Sequence, residues 1–275
     1  MANLPNLYLW AWERPEDLRF LSDKKVGVAF LAKSLSLAQP LAATFRDSNV
    51  PPDSSFFNSI RVNDRPRLQP LHVTPGTPLM AVVRIESVRG AFPRDFSGKT
   101  AAIPILSAQD LSLFANVIAS ASQISGVTAL QIDFDATTSE HTFYKELLIE
   151  VRKRIPAEMP LSITALASWC IGDRWLEQLP PGTIDEAVPM LFRMGMGSVE
   201  VSRYIGNGNG FTVSACATSL GVSTDEPLSW DVLNGKISVN RASSVLPRIY
   251  VFSPHAWDQA EAEDLLKKVA NWHAN

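Results

Sequence analysis

The sequence predicts a closed (β/α)8 barrel, and three observations lead there. Strand-like and helix-like runs alternate roughly eight times along 275 residues, and such barrels typically take about 250 residues as one unit. The strand-like runs are aliphatic at one parity and small or polar at the other. Gly27, Arg84, Gln131, Asp133, Ser162, Thr164, Thr212 and Ser214 all fall in the second set. An open sheet covered by helices on both faces would show near-continuous apolar strands instead. The chain is therefore read as one domain, 1–275, with a long insertion after the second strand.

Leu7–Trp12 is the first strand, ended by Glu13-Arg14-Pro15, and Pro15 is expected to open a short helix. Val26–Leu31 is the second strand, with Val26, Val28 and Phe30 on its bulky face and Gly27 and Ala29 on the small one. From Lys33 to Pro78 the periodicity breaks and prolines accumulate. This insertion, 33–78, is expected to form a flap over one end, with Phe57–Val62 and Arg67–Val73 pairing as a hairpin. Leu79–Glu86 is the third strand, and Ser107–Ser125 follows as a helix with Leu111, Ala115, Ile118 and Ser122 in one row.

Val127–Ala136 is the fourth strand. Leu130, Ile132 and Phe134 share one face, while Ala129, Gln131, Asp133 and Asp135 share the other. Asp is a poor strand former, so two of them at i, i+2 point to a role for that face. The helix Ser139–Ile155 carries the stripe Phe143, Leu147, Val151 and Ile155, with Ser139 as its expected N-cap. Leu161–Trp169 is strand five, Asp173–Leu179 a short helix, and Asp185–Arg193 strand six despite Pro189. Val199–Ile205 is helical, with Tyr204 expected to pack within it. The G-N-G-N-G run at 206–210 follows a helix and reads as a turn, not a phosphate cradle. Phe211–Ala217 is expected as strand seven, Arg248–Ser253 as strand eight, and Ala256–His273 as the last helix.

Composition narrows the function. Net charge is −3, from 25 basic and 28 acidic side chains, with no basic run to hold nucleic acid. No apolar run reaches membrane-spanning length. The N-terminus lacks the signature of a signal peptide, which makes the cytoplasm the default expectation, with a removed signal and a periplasmic location as the alternative. Two cysteines, Cys170 and Cys216, are read as free thiols. No cofactor is called for, and the oligomeric state is not legible.

Chemistry in a parallel barrel sits at the carboxyl ends of its strands. Asp133, Asp135 and Glu86 are the catalytic candidates there. Trp12, Glu13, Arg84, Gln131, Trp169, Met190 and His255 are the candidate substrate-binding residues. Several carboxylates and aromatic rings around one mouth suit a carbohydrate: rings cover the apolar faces of sugars, and paired carboxyls serve glycosidic cleavage. Neighbouring carboxylates do not both ionise easily. Arg84 is expected to hold Asp133 ionised and leave Asp135 as the proton donor. Asp133 and Asp135 with His255 would be the ligands of a metal-assisted alternative, which no His-x-His spacing supports.

Two resemblances follow. Thr128–Asp135 resembles the fourth-strand signature of chitinase-type (family 18) glycosidases, which ends in Asp-x-Asp-x-Glu. Asp133 matches its last Asp, and Asp135 stands at the position of the catalytic acid. Gln131 replaces the first Asp of that ending, Asp135 is one methylene shorter than Glu, and the upstream Asp-Gly is absent. More extensively, L-Y-L-W-A-W-E-R-P-E-D-L, V-G-V-A-F-L-A, A-L-Q-I-D-F-D-A-T-T-S-E and L-S-I-T-A-L-A-S-W are similar to a bacterial family, domain of unknown function 3142. The resemblance implies a glycoside-hydrolase-like barrel. The expected function is action on a polysaccharide through the fourth-strand carboxylates, with a catalytically silent carbohydrate-binding barrel as the alternative.

Overall fold

The computed structural model describes residues 4–21, 25–38, 61–87, 108–234, 236–237 and 247–274. Its strands are β1 (Leu7–Ala11), β2 (Glu16–Leu18), β3 (Val26–Ala38), β4 (Arg61–Pro66), β5 (Leu71–Val73), β6 (Leu79–Ser87), β7 (Val127–Asp133), β8 (Leu161–Leu166), β9 (Glu186–Met190), β10 (Ser219–Ser223) and β11 (Arg248–Phe252). The helices are α1 (Ala108–Ser120), α2 (His141–Arg152), α3 (Ala167–Ile171), α4 (Ser198–Gly206), α5 (Pro227–Leu233) and α6 (Gln259–Ala274). Parallel strands run in the order β1-β11-β10-β9-β8-β7-β6-β3, and β3 pairs back onto β1 to close the barrel.

Strand parity divides the apolar residues into two cores. Leu9, Val28, Val83, Leu130, Ile132, Ile163 and Val251 face the helix layer and meet α2 residues such as Leu147 and Val151. Tyr8, Trp10, Ala29, Met80, Val82, Ala129, Val188 and Tyr250 fill the lumen. Alternating side chains on closed strands have only these two places to go. The small inner face of β3 has a direct cause: a Cβ on Gly27 would lie 2.3 Å from the Tyr8 ring.

Several expectations need correction. Pro15 opens no helix. Glu16 and Leu18 are buried and Asp17 exposed, the two-residue period of a strand, and β2 pairs in parallel with β5. The second strand does not stop at Leu31. K-S-L-S-L-A continues it past an irregularity between Leu31 and Lys33, and this extension pairs antiparallel with β4. Arg61 and Val62 therefore oppose Ala38 and Leu37 rather than Arg67–Val73. The rest of the expected hairpin, residues 57–60, lies outside the described residues, as does Ser107. Strand five ends at Leu166, and Ala167–Ile171 turns into α3. The cap before α2 is Thr137, whose N–H and hydroxyl both donate to Glu140 at 2.6 and 2.7 Å, and not Ser139.

Strand seven is misplaced by the sequence reading. Ser214–Cys216 is a 3-10 turn, and the strand is Ser219–Ser223. Thr212 and Ser214 thus leave the inner face. At the centre of the true strand sits Gly221, where a Cβ would lie 3.4–3.5 Å from Val188, Met190 and Phe192. The Pro189 of β9 is accommodated because β9 meets β10 at a single register pair, Gly221 with Met190, so little ladder is lost there.

Cys170 and Cys216 are not free thiols. They form a disulfide with Cα atoms 5.8 Å apart, 46 residues apart in sequence, and both are fully buried. It ties α3 to the turn before β10. A lone long-range bridge leaves no spacing signature for a sequence to show. Replacing both cysteines by serine is expected to cost about 2–4 kcal/mol. Urea melts of the oxidised wild type and the double variant measure this, and coincident midpoints would remove the bridge from the stabilising contacts.

Candidate active site

The carboxyl ends of the barrel strands surround a cavity of about 340 Å³. Trp10, Trp12, Phe192 and Phe252 supply four aromatic rings to its lining, and Arg84, Asp133, Asp135 and Arg193 supply the charges. The rings support one another. Phe192 and Phe252 stack at 5.6 Å, and Trp10 meets both edge-on. Trp12 meets Phe252 edge-on and carries the Arg84 guanidinium over its other contact surface at 5.0 Å.

β7 ends at Asp133, and this stop separates the two aspartates. Asp133 is 6 % exposed, whereas Asp135, two residues beyond the strand, is exposed. Thr164 of β8 donates to Asp133 Oδ1 at 2.8 Å, and Arg84 of β6 reaches Oδ2 at 3.4 Å. The same guanidinium donates at 2.8 Å to Glu86, so it is shared. Burial pushes the Asp133 carboxyl up to about 6; Arg84 opposes this, and the Asp135 charge adds to it. Arg84 thus favours the ionised Asp133, as expected, but desolvation outweighs a cation that is 3.4 Å away and divided between two carboxylates, so the net shift is upward. Beneath the pair, the fully buried Tyr144 packs 5.1 Å from Phe134, and burial together with both aspartates raises its hydroxyl well above its ordinary value.

The structure brings Asp133, Asp135, Arg84, Trp12 and Met190 together at one cavity. Glu86 joins Asp133 and Asp135 in an adjoining recess of about 320 Å³. The other candidates lie elsewhere. Glu13 is on the rim, ion-paired with Arg65, which holds its carboxyl low. Gln131 lies deeper in the lumen, fully buried, donating to Ser162 Oγ at 3.0 Å. Trp169 is 3 % exposed and turned away by α3, against His141 and Trp175. His255 is exposed and faces Ser253 and Glu261.

Phe192 and Arg193 end the predicted sixth strand, Asp185–Arg193, and are expected at its mouth; sequence reasoning did not assign Trp10, Met194, Gly197 or Phe252 to the site. For Phe252 the signal was available, since it shares parity with the inward Tyr250. Arg193 holds φ at 54°, rare for a non-glycine residue, and its side chain pairs with Asp225 at 2.7 Å and Glu226 at 3.4 Å. Among the described residues, no three His, Cys, Asp or Glu side chains converge as metal ligands, and no helix is long and apolar enough to cross a membrane.

Comparison with known proteins agrees with this architecture. Residues 75–188, from the third to the sixth barrel strand, match the family model Domain of unknown function (DUF3142). No curated protein matches the chain. A crystal structure of a Streptomyces coelicolor protein provisionally titled chitinase A superposes with a TM-score of 0.54 over 98 % of both chains, at 13 % identity. The chain therefore shares the barrel fold of a chitinase-like glycoside hydrolase.

Proposed function

We propose that this protein is a glycoside hydrolase acting on a polysaccharide, with the Asp133–Asp135 pair at the cleaved bond. The observation that carries the reading is a buried carboxyl, Asp133, and an exposed one, Asp135, in one cavity lined with aromatic rings, with burial pushing the first upward. Trp12 and Phe252 offer apolar faces to a sugar ring. Asp135 is the group a ligand meets: it donates its proton to the departing glycosidic oxygen, and the water that adds to the anomeric carbon returns a proton to the Asp135 carboxylate. Asp133 lies close enough for the two charges to couple, and serves as the electrostatic partner of Asp135. The name of the structural neighbour favours this reaction class over others that barrels support.

Turnover of a polysaccharide panel tests it. Asp135→Asn is expected to lose about 10²–10⁴-fold in kcat, the usual worth of a general acid. Gly197→Trp is expected to abolish binding as well, because a Cβ at Gly197 meets nothing within 4 Å and the ring would occupy the cavity. Unchanged cleavage by Asp135→Asn would remove it from the acid role. Binding without cleavage by the wild type would make the protein a carbohydrate-binding barrel.

A further inference from the structure

Trp12 lines the central cavity, yet it lies past the end of its strand. The register pairs of β1 run as far as Trp10 on the β11 side and Ala11 on the β3 side, and Trp12 is the next residue. A guanidinium from 55 positions further along the chain holds it. Arg67 Nη1 donates to the carbonyls of Ala11 at 3.2 Å and Trp12 at 2.6 Å, Nη2 to that of Arg14 at 2.6 Å, and Nε to that of Gln69 at 2.8 Å. We propose that Arg67 is a positioning residue for the candidate active site: from the insertion, between β4 and β5, it sets the Trp12 ring on the cavity wall and so tunes how tightly a sugar is held there. The inference rests on the reading of that cavity as a carbohydrate site, and it gives part of the insertion a task in building it.

Three observations carry it. The first is the shape of the donor. A guanidinium presents its N–H groups in a planar, fixed fork, and here the fork brackets the bend 11–14, so a shift of the Trp12 main chain breaks several bonds at once. Lysine has the same charge and no fork. The second is that Arg67 is itself anchored. Its N–H donates to the Ala32 carbonyl at 2.9 Å, next to the pairing of Pro66 with Lys33, and the Pro70 carbonyl accepts from the Glu16 N–H at 3.0 Å. Arg65 adds an ion pair to Glu13 within the same bend. The third is what the Trp12 ring touches. It meets Phe252 edge-on at 6.2 Å and carries Arg84 at 5.0 Å, and Arg84 reaches Asp133 at 3.4 Å. A displaced Trp12 therefore disturbs both the aromatic wall and the cation beside the aspartates, whereas a ring held in place in advance costs little ordering when a ligand arrives.

Fluorine NMR of the protein labelled with 5-fluorotryptophan tests the placement of the ring. The chain has 7 Trp, and Trp12→Phe identifies the signal of interest. Arg67→Lys is expected to shift or broaden the Trp12 signal. Those of Trp175, packed against Tyr144 of α2, and Trp230, under Lys268 of α6, are expected to stay and so report an intact fold. Calorimetry tests the consequence, in the Asp135→Asn background so that no probe is shortened, with β-1,4-linked hexasaccharides of N-acetylglucosamine and of glucose. Trp12→Ala is expected to weaken binding about 30-fold, and Arg67→Lys about 10-fold. The double variant is expected to bind no more weakly than Trp12→Ala, because a clamp that acts through the ring has nothing to position once the ring is gone. Losses that multiply in the double variant, as a merely structural role would give, or an unmoved Trp12 signal in Arg67→Lys, overturn this inference alone. If the parent protein binds neither hexasaccharide, the carbohydrate reading falls, and the Trp12 signal by itself decides whether Arg67 positions the ring.

Discussion

Asp133→Asn is expected to make the protein more stable at pH 7.5 and nearly inactive. The two effects have one cause, a carboxyl held where its charge is poorly solvated. Its value moves from 3.8 to about 6 on folding, an interval worth about 3 kcal/mol. The sign follows from proton binding. Between pH 4 and 6 the folded protein holds the Asp133 proton and the unfolded chain has released it, so wild-type stability falls as pH rises through this window and is flat above it. Asparagine carries no charge and escapes that loss. Its Oδ1 still accepts from Thr164, but an amide nitrogen then faces Arg84 where Oδ2 stood, which offsets about 1 kcal/mol. The stability difference, variant minus wild type, should therefore grow by roughly 2–3 kcal/mol from pH 4 to pH 7.5. Chemical denaturation at the two pH values measures it, and a pH-independent difference would refute the buried titration. The kcat of the variant is expected to fall about 10²–10³-fold. Full activity in a stabilised variant would leave Asp133 a buried structural carboxylate.

This balance was only half legible in the sequence. Alternation in V-T-A-L-Q-I-D is a local property, so the inward direction of Gln131 and Asp133 could be read directly. Depth is not local. Asp133 is buried and Asp135 exposed because the strand stops between them, and Gln131 lies below the cavity because of where the lumen is filled. Trp169 shows a related limit: it shares parity with the outward Ile163 and Ala165, and α3, which begins at Ala167, carries its ring against His141 and Trp175. The seventh strand failed for a different reason. T-V-S-A-C imitates a half-polar strand, whereas S-L-G-V-S carries a glycine that local propensity disfavours and that only the approach of Val188, Met190 and Phe192 explains. The Cys170–Cys216 contact and the left-handed backbone of Arg193 likewise depend on partners far away in the chain.

Arg248→Met is expected to destabilise the barrel by about 3–5 kcal/mol, the usual cost of leaving a buried charge without its partner. Arg248 and Glu186 are the first residues of β11 and β9, at the end of the barrel opposite the cavity. Arg248 Nη1 donates to Glu186 Oε2 at 2.7 Å and Nε to the Pro5 carbonyl at 2.7 Å, while the Tyr250 hydroxyl donates to Glu186 Oε1. Glu186 is fully buried, and Tyr250 stacks on Tyr8 at 5.2 Å directly beside it. Methionine keeps much of the arginine's volume but leaves the carboxylate with one neutral donor. The double variant Glu186→Gln/Arg248→Met should recover a large part of the loss, because it removes the charge that needs compensation. A double variant as unstable as Arg248→Met would show that packing, and not the ion pair, sets the cost. The pair lies far from the Asp133 carboxyl, so the two sets of stability changes should add to within about 0.5 kcal/mol.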